Sequence, residues 1–430
     1  MRLGEYERAA VMLRGVGTGG DEGYPGLSLK VTQARCLLAM LANDPDADRL
    51  ATVLVEAAEH QAASGYSRVG LLLLALRRGD AVQVDHLVDS MLKQDPALVS
   101  TVAEVVISNL VLLREETRDE LVREVSRRPG RWLPSLRRCA LAGPDRVRLA
   151  SARVIELVGE RADVALLRAV SRDLRGAVRE PTLGRTLARR VADRVFVEDL
   201  GRVVLQLGTR VVTGTGLRRK VLALLCFLLA QPGLAATRDR VMEALWPESD
   251  PEQALNSLHQ TAYFLRRSLE QDYVEDLSPG YVHHEGDVVW LDSELVDSRS
   301  RRCTTLLRSL GEIPLPNDID RLAAEYRARF ALDFTYEDWA ASHRDSLHAR
   351  YLETMERAMT DEVDAGHLDR AVRIAQRILD VDPDAEQVEV ALLRLYRATG
   401  AHAAAAEQYA HYATVMREQL GVEPPPLEEL

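Results

Sequence analysis

The segment DPEQALNSLHQTAYFLRRSLE, residues 250–270, decides how the rest of the chain is read. Asp250 offers a side-chain acceptor at a helix start, and Pro251 suits the first helical position because its missing N–H would have no intrahelical partner. Gln253 stands three residues after Asp250, where a capping-box partner belongs. Leu255, Leu258, Ala262, Leu265 and Leu269 recur in steps of three and four, which predicts a helix from Pro251 to about Glu270 with one apolar stripe. At about 100° per residue, Asn256, Gln260 and Arg267 point most nearly away from that stripe, with Tyr263 beside them and His259 and Arg266 on the flank. Amide side chains pair bidentately with adenine and guanidinium with guanine, and the major groove admits a helix. A polar face is also ordinary on any solvated helix, and Asp250 and Glu252 oppose phosphate, so this face alone leaves both readings open.

The flanking sequence supplies context. Upstream, Arg202 to Leu207 and Arg210 to Thr213 are β-branched runs set off by Gly201 and Gly208, which predicts a small antiparallel sheet over Val195 to Val212. A first helix is expected from about Leu217 to Gln231, ending at Pro232-Gly233, and a second from Thr237 to about Leu245, before Trp246-Pro247. Downstream, Tyr273 to Leu277, a turn at Ser278-Pro279-Gly280, and Tyr281 to Leu291 read as a hairpin. Sheet, three helices and terminal hairpin are the order of a winged helix-turn-helix.

Charge tips the open question. The chain has 55 basic and 66 acidic residues, a formal net charge of −11, so any polyanion site must be a local concentration of cations. Arg218, Arg219 and Lys220 open the first helix, Arg238 and Arg240 the second, and Arg299, Arg301 and Arg302 follow the hairpin. These residues, with Thr237, Ser257 and Arg266, are candidates for phosphate contacts that set position without reading sequence. His283 and His284 near the hairpin tip are placed to touch the minor groove or backbone; a metal site there is not expected, because adjacent strand residues face opposite ways. Trp246 is expected in the core.

The flanks of this module are helical. From Met1 to about Arg190, apolar residues recur at three and four between breaks such as Asn43-Asp44-Pro45, Gly79-Asp80, Asp95-Pro96, Pro129-Gly130 and Gly143-Pro144. Asp145 to Val158 and Ala162 to Leu174 read as paired helices of an irregular solenoid whose period does not decide between tetratricopeptide and HEAT types, and whose opening residues read as a repeat already under way. Gly15, Gly17 and Gly20 match a dinucleotide fingerprint only formally. A helical segment, Glu5 to Leu13, precedes them where a strand is required, so Gly15 to Gly26 is expected to be a loop. At the other end Gly366 and Gly400, like Ala371 and Ala405, are 34 residues apart, the tetratricopeptide period.

Other classes are disfavoured. Cys36, Cys139, Cys226 and Cys303 form no C-x-x-C pair, which predicts neither zinc nor a disulfide framework and fits a cytoplasmic protein. The apolar runs Val69 to Leu76 and Val221 to Ala230 fall short of the roughly 20 residues needed to span a bilayer. No phosphate-cradling loop or nucleophile constellation is found, so neither a cofactor nor an enzymatic activity is expected.

Arg218 to Leu225, Ala244 to Pro247, Asn256 to Gln260 and Phe264 to Arg267 together resemble the DNA-binding domain of antibiotic-regulatory-protein-type activators, whose winged helix is of the OmpR kind. Asp338-Trp339, Tyr351, Gly366, and Gly400 through Gly421 to Pro424 are similar to the bacterial transcriptional activation domain that follows it, so the resemblance runs from Val195 to Pro426. It implies base readout by Asn256, His259, Gln260, Tyr263 and Arg267, and a polymerase-facing loop at Pro247, Glu248, Ser249 and Asp250. It further implies promoter DNA and RNA polymerase as partners, with a second copy of the chain on repeated elements. Larger members carry an ATPase module; this chain instead places about 190 helical residues, with an unknown protein or ligand as partner, before the winged helix. The expected architecture is mainly α: an α-solenoid over 1–190, an α+β winged helix-turn-helix over 195–297, and a tetratricopeptide-like activation domain over 298–426. The competing expectation is an interaction scaffold whose winged helix does not read DNA.

Overall fold

Helix boundaries fall where the sequence changes from periodic to turn-forming residues. A computed structural model describes residues 25–270, 273–311, 314–420, 422–427 and 429. It divides into two compact units, one of residues 1–192 with 274–279, the other of 193–273 with 280–430. The Glu5 to Leu13 segment and most of the glycine-rich stretch lie outside the described residues; its last two residues, Pro25 and Gly26, open a helix, Pro25–Leu41, where a loop was expected.

Among its described residues the regular structure of the first unit is helical. Pro25–Leu41, Ala47–His60, Ser64–Arg78 and Ala81–Gln94 each pack mainly on their sequence neighbours. Two short helices lead to Glu115–Arg127, Pro129–Ala142, Asp145–Val158 and Asp163–Asp173, with Arg185–Arg190 closing the series. Trp132, Leu54, Leu72, Leu73, Met91, Ile155 and Leu167 are fully buried in one continuous core, each burial of this kind stabilising by about 1.5–3 kcal/mol. Gly70 lets the second and third helices touch: a Cβ there would sit 2.5 Å from Val55 Cγ2 and 3.1 Å from the Ala51 carbonyl. Between helices, Arg137 holds the buried Asp163 carboxylate at 2.6 and 2.8 Å.

The second unit opens with β1 Val195–Glu198, β2 Val204–Leu207 and β3 Arg210–Thr213, followed by α1 Arg219–Ala230. Val221 to Leu229 are all buried, so α1 is the central helix of the module, not a surface element. Next come β4 Ala235–Thr237, α2 Arg238–Leu245 and α3 Pro251–Leu269, then β5 Val282–Glu285 and β6 Val288–Leu291. β7 Val296–Ser298 pairs parallel with β1, giving the order β3-β2-β1-β7; β4 joins the hairpin in the order β4-β6-β5. This is a winged helix-turn-helix with two strands, β4 and β7, that the sequence reading did not include.

The hairpin turn is a correction. Tyr273 to Leu277 is not a strand: the Leu277 N–H bonds to the Val274 carbonyl in a turn. The reversal lies instead at Gly286-Asp287, where Gly286 has a φ of 57°, a conformation that costs glycine nothing and other residues strain.

α4 Arg299–Ser309 and α5 Pro316–Glu325 precede two helical hairpins, α6 Asp338–Asp364 with α7 Leu368–Val381 and α8 Glu386–Ala398 with α9 His402–Val415. Gly366 and Gly400 both adopt positive φ at the hairpin bends, and Ala371 and Ala405 are both buried behind them. These helices are stitched to the β1–β2 corner by polar contacts. The fully buried Asp199 accepts from the Ser300 N–H at 2.7 Å and hydroxyl at 2.6 Å, and Asp333 accepts from the Val203 N–H at 2.7 Å. Burial pushes the Asp199 carboxyl up to about 6, against those bonds. Tyr351 is fully buried and stacks on Tyr326 with centroids 4.0 Å apart, and Trp339 meets Phe334 and Phe227, so both are packing residues.

Candidate nucleic-acid interface

The Asp250 carboxylate caps α3, accepting from the Glu252 and Gln253 N–H groups at 3.1 and 2.9 Å. Ala254, Leu258, Thr261, Ala262, Leu265 and Leu269 are buried beneath it, while Leu255 is only half-buried. Along the opposite side Asn256, His259, Gln260, Tyr263 and Arg267 are all exposed, and Tyr263 keeps 44% of its surface. Ser257 and Arg266 are half-buried at the edges of this face. Arg267 lies over the Tyr263 ring, 5.9 Å from its centroid, so the two form one amphipathic patch. α3 therefore turns amide, guanidinium and aromatic groups outward on a helix held from within by apolar residues.

The start of α2 and the hairpin meet beside this face. Thr237 caps α2 by accepting from the Arg240 N–H. Arg238 reaches the hairpin turn: its N–H bonds to the Asp287 carbonyl at 2.7 Å and its guanidinium pairs with the Asp287 carboxylate at 3.0 Å. Arg266 Nε donates to the Val282 carbonyl at 3.0 Å, tying α3 to β5. His284 faces His259 with ring centroids 5.1 Å apart, and its Nε2 is buried without a hydrogen bond. Burial, then the proximity of His259, Arg266 and Arg238, holds the His284 imidazole below its ordinary value, with Asp287 opposing. His283 points elsewhere, stacked on Trp290 at 4.9 Å and 3.6 Å from Asp292.

Arg240 is exposed, while the cations at the start of α1 and, after the hairpin, Arg299 and Arg302 are engaged. Arg218 lies 3.8 Å from the centre of the Phe264 ring. Arg219 pairs with Glu337 at 2.9 Å, and Lys220 donates to the Leu245 carbonyl at the end of α2, where a cation also meets the helix dipole. Arg299 is a correction: it is bound to Glu198 at 2.8 Å and Glu325 at 2.5 Å, largely enclosed, and joins the sheet to α5 instead of facing a phosphate. Arg302 likewise pairs with Asp297 at 2.7 Å. Asp287 and Glu337 were absent from the sequence reading, and Phe264 was not read as a partner of Arg218; these roles depend on pairings up to 118 residues apart, which no local pattern signals. Pro247 and Glu248 in the α2–α3 loop are exposed, with Ser249 half-buried and its N–H bonded to the Trp246 carbonyl. Among the described residues no cluster of three or more His, Cys, Asp or Glu side chains could hold a metal ion.

Comparison with known proteins bears on the helices that follow. Residues 317–428 match the family described as bacterial transcriptional activator domain. The regulatory protein AfsR of Streptomyces coelicolor is 29% identical over 228 residues, covering 52% of this chain and 22% of that protein. Over the matched residues the chain is similar to these bacterial transcriptional activator and regulatory proteins. AfsR of Streptomyces griseus is 28% identical to this chain over 211 residues, 48% of this chain and 21% of that protein, so the match spans about a fifth of the length of these relatives. A solved structure of Mycobacterium tuberculosis EmbR in complex with a low-affinity phosphopeptide covers 55% of this chain and 63% of that chain, at 16% identity and a TM-score of 0.40.

Proposed function

We propose that the chain is a sequence-specific DNA-binding transcriptional activator that docks on repeated promoter elements through α3 and recruits RNA polymerase. The observation that carries this reading is the outward row Asn256, Gln260, Tyr263 and Arg267 on a helix whose Leu258, Leu265 and Leu269 are buried. Asn256 and Gln260 have base-pairing chemistry for adenine and Arg267 for guanine. Arg238, Arg240, Thr237, Ser257 and Arg266 border that row as phosphate contacts, Arg218, Arg219 and Lys220 stand at the start of α1, and His284 with His283 supplies the wing. The exposed loop Pro247 to Asp250 is the polymerase-facing element, and the activation domain offers a second surface. In this reading the chain comprises a helical-repeat domain over 1–190, a DNA-binding domain over 195–297 and an activation domain over 298–426, and it works in the cytoplasm. No helix among the described residues is long and apolar enough to cross a membrane.

Selection of duplexes from a random pool by the purified full chain tests the reading. Enrichment of a repeated element at moderate salt is expected; recovery of unselected sequence would overturn it. A second reading, an interaction scaffold that does not read DNA, draws support from one observation: Arg219, Lys220 and Arg238 already meet groups of their own unit. Under that reading, neutralising Arg218, Arg219 and Lys220 leaves the partners unchanged and no promoter is occupied in cells.

A further inference from the structure

Between the β1–β7 side of the first sheet and the helices α4 and α5 lies a cavity of about 860 Å³, a size that suits a small organic molecule. It lies wholly within the second unit and takes no residue from α2, α3 or the strands β5 and β6. Phe196, Leu295 and Leu306 give it apolar wall, and four guanidinium groups, those of Arg194, Arg301, Arg302 and Arg321, line the rest together with three carboxylates. Two of the carboxylates are already engaged: Asp297 holds Arg302 at 2.7 Å and Glu325 holds Arg299 at 2.5 Å, while Glu294 is exposed.

Arg301 stands apart from its neighbours. Though half-buried on the first turn of α4, it forms no ion pair among the described residues, and its Nη1 meets the Ser293 and Val296 carbonyls at 3.4 Å, the outer limit of a hydrogen bond. Arg194 donates to the Glu294 carbonyl, and the exposed Arg321 is 3.7 Å from Asp318. A guanidinium drawn partly out of water without a carboxylate is costly, and the planar fork of arginine matches phosphate and carboxylate oxygens bidentately. We infer that the cavity is a binding site for a small organic anion, whose phosphate or carboxylate head pairs with Arg301, flanked by Arg194 and Arg321, and whose apolar body lies on Leu295 and Leu306. Such a ligand touches the sheet, α4 and α5 at once, so its binding raises the melting temperature of the chain. The inference stands whether or not α3 reads DNA.

The test is titration calorimetry of the full chain with phenyl phosphate and with phthalate, and with benzyl alcohol as the neutral analogue. Saturable binding of at least one anion and none of the alcohol is expected, with a matching rise in melting temperature. Affinity should fall about tenfold in Arg301→Gln, which removes one charged hydrogen-bonding partner, less in Arg321→Gln, and not in Arg308→Gln, an exposed position of α4 outside the cavity. Tighter phenyl phosphate would make the ligand a phosphate ester, tighter phthalate a carboxylic acid. Arg301→Gln is checked for a cooperative melt; if it does not fold, the exposed Arg321→Gln decides. No saturable binding of either anion, or an affinity that Arg308→Gln lowers as much as the cavity variants do, would overturn the inference. Displacement of the bound anion by duplex DNA would overturn it too, by assigning these arginines to a phosphate backbone.

Discussion

Arg218, Arg219 and Lys220 at the start of α1 and Asn256, Gln260 and Arg267 along α3 were singled out from sequence for the same partner, but the fold treats them differently. The α1 cations each meet a group of their own unit: the Phe264 ring, the Glu337 carboxylate and the Leu245 carbonyl. On α3, Asn256 and Gln260 make no side-chain hydrogen bond among the described residues, and Arg267 lies over the Tyr263 ring. A row of cations in a sequence measures charge, whereas an exposed row of unpartnered amides on a buried-backed helix measures availability. The internal pairings do not abolish a role for α1. Arg219 is 66% exposed, and an exposed ion pair is worth about 0–1 kcal/mol, little enough for a phosphate to take over.

The comparison breaks most visibly if α3 loses its inner face. Leu258 is fully buried, so Leu258→Ala should cost about 2–5 kcal/mol in thermal or denaturant unfolding and abolish DNA selection with it. A melt like that of the wild type would mean that the leucines do not hold α3. A smaller effect separates the two regions. Arg219→Ala should weaken binding to all duplexes alike and lower the salt slope by about one, while Glu337→Gln should strengthen binding slightly by releasing Arg219. Sequence-dependent loss in Arg219→Ala would remove the distinction between α1 and α3.

The smallest expected effect is in pH. His284 has a folded value below its ordinary 6.5, so the unfolded chain takes up the proton first, and stability present above that value is lost as pH falls through it. Melting of the wild type followed downward from pH 7 should show this loss, and His284→Leu should reduce it. An unchanged profile in that variant would show that the His259–His284 contact does not report on the wing.

Much of α3 was legible because three independent signals coincide there: the Asp250 cap, Pro251 and an apolar stripe from Leu255 to Leu269 over about four turns. The 34-residue recurrence of Gly366 and Gly400 was legible for a similar reason, since positive φ at a hairpin bend selects glycine. β4 and β7 were not, because three residues carry no period, and the parallel pairing of Val195 with Val296 joins positions far apart in the chain. Ser278-Pro279-Gly280 has the composition of a hairpin turn but serves as a link, while the real reversal uses the plainer Gly286-Asp287. Arg299 was misplaced for a physical reason as well: its partners Glu198 and Glu325 approach only after the sheet and α5 have formed.

In the proposed mode of binding, α3 reads bases while the cations around it set position. Gln260→Ala tests it most directly, by measuring affinity for the selected element and for the same element changed at one base pair. Discrimination at a single position is expected to collapse by about 1–3 kcal/mol, with the salt slope unchanged. Equal weakening on both duplexes, or none on either, would contradict it.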